Sequence, residues 1–193
     1  MIMLRKAVAA VLTVGLMAAA MWLYTFKPHL QDKAQHPLMN HGRLGAVVGN
    51  RDFSVKVIRV DVASAITKPD SLSTPTVMRS LGIFLIVQAQ IKSSKKPFMT
   101  GHIRLETQSG DEYGPSGRAK IPDSDYEYQP MLWSPAQYVF EIPKDRLAGA
   151  RLVIGSAALQ NELSAETNVD LGLSGAKGAR LAAHPPASYE LKT

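Results

Sequence analysis

The sequence predicts an all-β protein, an antiparallel β-sandwich preceded by one N-terminal apolar helix, and three observations predict it. Apolar residues recur at every second position through most of the span from Leu44 to Leu173. Turn signals rich in Gly, Pro, Ser and Asp cut that span into about seven short strands. Ahead of them, residues 7–26 carry no charged side chain.

Composition sets the outer bounds. A chain of 193 residues suits one ordinary domain with appendages, and 46% hydrophobic with 20% charged residues is globular composition. Cysteine is absent, which excludes disulfides, a thiol nucleophile, Cys-ligated zinc and iron–sulfur clusters. The net charge of +6 invites a nucleic-acid reading. Between Leu44 and Leu173, however, Lys and Arg equal Asp and Glu in number. The excess sits at Arg5, Lys6, Lys27, Lys33 and Arg43, and at Lys177, Arg180 and Lys192. No basic stripe is left for phosphates, so no nucleic-acid partner is expected.

Residues 1–6 form a short basic stub, and residues 7–26 are expected to be a transmembrane signal anchor. At about 1.5 Å per helical residue, that run spans roughly 30 Å of hydrocarbon. Trp22 and Tyr24 lie where amphipathic rings favour the headgroup level, and Lys27-Pro28 closes the helix. The competing expectation is a signal peptide cleaved after Ala18-Ala19-Ala20, giving a soluble secreted form. Retention is favoured because the apolar run continues through Met21, Trp22, Leu23, Tyr24, Thr25 and Phe26. The lipid bilayer is then the first partner, at the plasma membrane in a single pass. A short basic stub before a first helix places the C-terminal domain outside the cytoplasm. Neither a lipobox cysteine nor an Asn-x-Ser/Thr acceptor occurs.

Residues 27–43, rich in Gln, His, Asn and Pro, are expected to be a juxtamembrane linker. The β-sandwich is expected over residues 44–173. Phe53, Val55 and Val57 share a face, and Ile58, Val60 and Val62 continue it shifted by one, the mark of a β-bulge. In Leu81–Ile91, Leu81, Ile83, Leu85, Val87, Ala89 and Ile91 form one face, with Phe84 and Ile86 on the other. His102–Thr107 alternates and meets Ser109-Gly110 before Asp111-Glu112-Tyr113, which predicts a hairpin. Tyr138, Phe140 and Ile142 make the next strand, ended by Pro143, and Leu152–Ala157 and Val169–Leu173 follow. Pro143–Ala150 and Ala158–Ala165 leave room for helical turns. Residues 174–193, rich in Gly, Ala, Lys, Ser and Pro, are expected to be a disordered tail.

These segments resemble a family. Gly45 before Phe53-Ser54-Val55-Lys56-Val57, then Phe84-Leu85-Ile86-Val87, Leu105 with Ser109-Gly110-Asp111-Glu112-Tyr113, and Phe140-Glu141-Ile142-Pro143 leading to Leu147-Ala148-Gly149-Ala150-Arg151-Leu152 are similar to the telokin-like domains of unknown function. The resemblance covers roughly Leu44–Leu173 and implies an exported or membrane-anchored immunoglobulin-like sandwich. It implies no catalytic residues. Leu132-Trp133-Ser134-Pro135 departs from the Pro-Gly turn expected before the Phe-Glu-Ile-Pro strand.

Candidate chemistry is sparse. His29, His36 and His41 are spaced by seven and five, which is no ligand pattern, so they are expected to be solvated. His102 beside Arg104 and Glu106 is expected on an exposed strand face. Asp123, Asp125 and Glu127 suggest a hard cation, but an EF-hand would need Gly and Glu where Tyr128 and Ser134 stand. The same three acids come from one loop and cannot flank a sugar from two sides, as a glycosidase requires. Neither a nucleophile elbow nor a phosphate loop occurs. No catalytic residue, metal or cofactor is therefore expected, and the chain is expected not to be an enzyme. Tyr126, Tyr128, Met131, Leu132, Trp133 and Tyr138 concentrate aromatic and apolar side chains around two prolines. Tyr126, Tyr128, Met131, Trp133 and Tyr138 are the partner-binding candidates, with packing over one end of the sandwich as the competing role. Lys92, Lys95 and Lys96 form a basic loop suited to gatekeeping or to anionic lipid. The expected function is a binding or accessory role at the cell envelope, with another envelope protein as a candidate partner. The alternative is an envelope hydrolase.

Overall fold

Phe53, Val55 and Val57 alternate with Ser54 and Lys56, and a period of two lays all three on one side of a strand, where water reaches none of them. The computed structural model describes residues 13–22, 38–68, 75–119, 126–156 and 165–191. It divides into Met1–His36 and the compact unit Pro37–Thr193. Within the first, residues 13–22 form helix α1. The expected membrane span runs beyond α1 at both ends, outside the described residues. Among the described residues, no helix is long and apolar enough to cross a membrane.

The described residues of the larger unit form two sheets. The first orders β1 (Leu38–Arg43), β10 (Ala165–Asp170), β9 (Arg151–Ser156), β5 (Phe98–Glu106) and β6 (Glu112–Tyr113), with β7 (Glu127–Tyr128) also on β5. The second orders β11 (Tyr189–Glu190), β3 (Phe53–Lys68), β4 (Thr76–Ser93) and β8 (Ser134–Ile142), with β2 (Val47–Gly49) also on β3. Pairing between these strands is antiparallel except at β1–β10 and β11–β3. Phe53, Leu85 and Phe140 of one sheet pack with Leu105, Leu152 and Ile154 of the other. Burying each contributes roughly 1.5–3 kcal/mol, so the fold is held by this interlayer core. The protein is mostly β-sheet, arranged as a sandwich.

Local signals act as expected in several places. The β3–β4 register steps between Val57 and Arg59, the bulge announced by the shifted pattern. A second step lies between Ala63 and Ala65. Gly110 takes φ +86 in the β5–β6 hairpin, a backbone conformation that only glycine adopts freely. Thr107 N donates to Asp111 O at 3.0 Å and Gly110 N to Thr107 O at 3.1 Å across the same turn. Lys144–Arg146 forms one 3₁₀ turn after Pro143.

The far side of β4 is buried as well. Phe84, Ile86 and Val139 pack with Ala63, Ile66, Ala119 and Leu191 in a second cluster on the outer face of the second sheet. That double burial explains why the centre of β4 is apolar on both faces.

Three boundaries differ from the sequence expectation. The linker expected over 27–43 ends earlier, because Leu38–Arg43 pairs along β10 as β1. The tail expected over 174–193 instead forms helix α2 (Gly175–Ala183) and then β11. Its glycine is a packing device: a Cβ on Gly178 would lie 2.9 Å from Leu173 O and 3.0 Å from Ala148 Cα. Gly178 and Ala182, one turn apart, are the buried residues of α2, so small side chains let the helix backbone approach the 147–150 turn. The strand expected from Val169 starts earlier, at Ala165, as β10.

Candidate functional site

Two places carry concentrated side-chain chemistry. The first is the outer face of the β1–β10–β9–β5 sheet. His102, Arg104 and Glu106 alternate outward on β5, and Glu166 and Asn168 do so on β10, two strands away. The intervening β9 position is Gly155, paired with both His102 and Glu166. A Cβ there would stand 2.1 Å from the His102 ring, so the bare backbone is what lets His102 reach across β9.

His102 Nε2 and Glu166 Oε1 are 2.6 Å apart, and Arg104 Nη2 donates to Glu166 Oε2 at 3.0 Å. Arg104 also meets Glu106 at 3.3 Å and Glu112 at 3.2 Å. Asn168 Nδ2 donates to Glu106 Oε2 at 2.9 Å. Glu166 is only 2% exposed, and two partners compensate its buried charge. Burial alone would lower the Arg104 guanidinium. The hydrogen bond and charge of Glu166, with Glu112 and Glu106, more than offset this and raise it. A His–carboxylate pair is also two-thirds of an acyl-transfer triad. Among the described residues, however, no hydroxyl is hydrogen-bonded to His102, and no three His, Asp or Glu side chains converge to hold a metal. These pairs tie β5 to β10 across β9 as a cross-strand clamp. His102, expected to be a solvated strand residue, is half-buried and paired instead. Sequence reasoning missed Glu166 and Asn168, although the alternation of Ala165, Thr167 and Val169 with Glu166, Asn168 and Asp170 was a usable period-two signal.

The second place is one end of the sandwich. Phe53 stacks on Phe98 with centroids 4.4 Å apart, Phe98 meets Tyr128 at 6.3 Å, and Tyr128 meets Tyr126 edge-on at 4.9 Å. This aromatic series runs from the core to the surface and braces β7, which pairs Phe98 with Tyr128 and Met99 with Glu127. Ser93 N donates to Gln129 O at 3.3 Å, tying the β4–β5 loop to the same segment. Asn50 Oδ1 accepts from Asp52 N and Phe53 N, both at 2.8 Å, and Ser94 N donates to Asp52 O at 2.9 Å. Three loops are thus joined at this end: 50–52, 94–97 and 129–133.

The five expected contact residues separate here. Tyr128 and Tyr138 are buried, and Tyr138 lies against the Tyr128 phenol, so both belong to the packing. Burial first, then Tyr128, push the Tyr138 hydroxyl well above the ordinary tyrosine range. Met131 is 82% and Leu132 57% exposed, and Tyr126 is exposed beside them. Trp133 is half-buried, with Lys92 Nζ 4.9 Å from its ring centroid. Met131 has φ +65, unusual for a residue with a side chain. Glu127 is exposed on β7 and His41 on β1, whereas Asp123, Asp125, His29 and His36 lie outside the described residues. At the opposite end, Leu81, Gly82, Glu141, Ile142, Pro143 and Lys144 line a shallow open cleft. Its one carboxylate, Glu141, is bridged to Arg118 at 3.1 Å.

Fold and site define a β-sandwich protein with a bare apolar loop at one end and a buried ionic clamp on one face. No protein-family model matches the chain, and no curated protein matches it. It is similar to an uncharacterized beta-sandwich protein from Clostridium difficile 630, with 10% identity and a TM-score of 0.43 over 70% of this chain and 95% of that one. It is also similar to the yjhA protein from Bacillus subtilis, with 10% identity and a TM-score of 0.46 over 67% of this chain and 99% of that one. A conserved hypothetical protein from Bacillus anthracis has 14% identity and a TM-score of 0.43, over 64% of this chain and 93% of that one.

Proposed function

We propose that this chain is a single-pass membrane-anchored protein whose sandwich lies outside the cytoplasm and serves a binding or accessory role at the cell envelope, without catalysis. One observation carries the reading: α1 presents Val14, Leu16, Met17 and Met21 as exposed side chains. Exposed apolar side chains on a helix find their natural solvent in lipid. Residues 7–12 and 23–26 extend the same uncharged run on either side.

The finer fold reading is immunoglobulin-like, of the telokin-like kind, and strand order supports it. With β3, β4 and β8 taken as A, B and E, and β5, β9 and β10 as C, F and G, the sheets pair A-B-E against C-F-G, as in that fold. Folds of this type carry function on their loops, and the exposed loop here is 129–133.

Alkaline carbonate extraction of membranes from cells expressing the full chain tests the anchor. The full-length protein should stay in the pellet. Release into the supernatant, or a mature chain beginning at Met21, would overturn the anchored reading in favour of a peripheral or secreted form.

A further inference from the structure

The register of the first sheet locates where the chain enters the sandwich. Leu38 pairs with Ala165, Glu166 with Gly155, and Thr100 with Ser156, so β1 begins at the same end as β5. That is the end where Met99 pairs with Glu127 and where the 94–97 and 129–133 loops are joined. The exposed apolar loop therefore lies at the end of the sandwich where β1 begins.

Resting on the anchored reading above, we infer that this end of the sandwich docks on an anionic lipid surface. Met131 and Leu132 enter the headgroup boundary, and Lys92, Lys95 and Lys96 face the phosphates. Length favours lipid over a distant partner. About 11 residues, 27–37, separate the apolar run from β1, and even fully extended they reach only about 38 Å. Tethering that short raises the effective concentration of bilayer at the loop, so a small apolar patch suffices. Charge favours it too. Among the described residues of the joined loops and adjoining strand ends, the cations are Arg51, Lys92, Lys95 and Lys96, while the acids are Asp52, paired with Arg51 at 3.4 Å, and Glu127; Asp123 and Asp125, which precede β7 in the sequence, lie outside the described residues. A lysine near an anionic membrane contributes about fivefold in partitioning, and three together on the order of a hundredfold.

The loop itself is built for presentation. Aromatic stacking from Phe53 to Tyr126 holds its base, and the left-handed backbone of Met131 persists on an exposed apolar residue. Neither feature serves burial of Met131 or Leu132.

Trp133 supplies the readout, because the chain has two tryptophans and Trp22→Phe leaves Trp133 alone. The full chain with that change is reconstituted into phosphatidylcholine vesicles, with or without phosphatidylglycerol, whose acyl chains are brominated just below the headgroups. Bromine should quench Trp133 strongly in the anionic vesicles and weakly in the neutral ones. Met131→Asn with Leu132→Ser should abolish the quenching while leaving the circular dichroism unchanged, and Lys95→Glu with Lys96→Glu should reduce it. Flotation of the same samples separates the two readings. A chain that floats with both vesicle types yet leaves Trp133 unquenched keeps its anchor and overturns the lipid-docking inference. A chain that floats only with anionic vesicles, through Met131 and Leu132, overturns the anchor and upholds the docking face. Failure to float with either overturns both.

Discussion

Tyr138 gives the sandwich a pH limit. Its hydroxyl is buried against Tyr128, and its pKa in the fold lies above the ordinary value of about 10. A raised folded pKa means that the native state holds a proton the unfolded chain gives up. The associated stability is therefore complete below pH 10 and declines as pH rises toward the folded value. The slope approaches about 1.4 kcal/mol per pH unit. Denaturant melts from pH 8 to 11.5 should show this fall, and Tyr138→Phe should flatten part of it; an identical fall in the variant would remove Tyr138 as the cause. Met131 makes a second prediction at this scale. Asparagine tolerates φ +65 better than methionine, so Met131→Asn should raise stability by about 0.5–1 kcal/mol in the same melts. Residue types were legible in the sequence, since the loop stood out for its aromatics. Which of them face water was not, because Tyr126 and Tyr128 stand two residues apart, a spacing that treats them alike, and only packing against Phe98 and Tyr138 buries one while the other stays exposed.

At the level of elements, β5 and β10 are joined over β9 by side chains alone. Gly155→Ala should drive the His102 ring off Glu166, leave that buried carboxylate with Arg104 only, and cost roughly 1–3 kcal/mol. His102→Ala in the same chain should recover part of the loss, a coupling that a double-mutant cycle reads directly. Additive effects would contradict the clamp. The C-terminal strap makes a parallel case. Leu191 N donates to Thr67 O at 2.9 Å, and its side chain is packed in the cluster of Phe84 and Ile86, so Leu191→Ala should cost about 2–5 kcal/mol by urea titration. A loss below 0.5 kcal/mol would show that the strap is dispensable. Strands β3, β4, β5 and β8 were readable because their alternation is strong and local. Helix α2 was not, since its Gly and Ala composition resembles a linker until Ala148 and Leu173 supply the surface it packs on. Strand β1 was hidden for a related reason: its partner β10 is more than a hundred residues away, and its own sequence, Leu-Met-Asn-His-Gly-Arg, carries no alternation.

For the whole molecule, charge and hydropathy divide the chain more cleanly than any motif does. The span from Leu44 to Leu173 balances its charges, while basic residues collect beside the uncharged run 7–26 and in the C-terminal segment. The folded unit adds Arg43, Lys177 and Arg180 against Glu190 to that balanced span and is mildly basic; it carries an exposed apolar loop at the end where β1 begins, and its ionic clamp ties β5 to β10. In the proposed topology, residues 7–26 anchor a domain lying outside the cytoplasm. A reporter active only outside the cytoplasm, fused after Thr193 of the full chain and compared with a cytoplasm-only reporter at the same position, measures this most directly. Activity is expected from the first fusion, held in the membrane fraction, and silence from the second. Activity from the cytoplasmic reporter alone would contradict it.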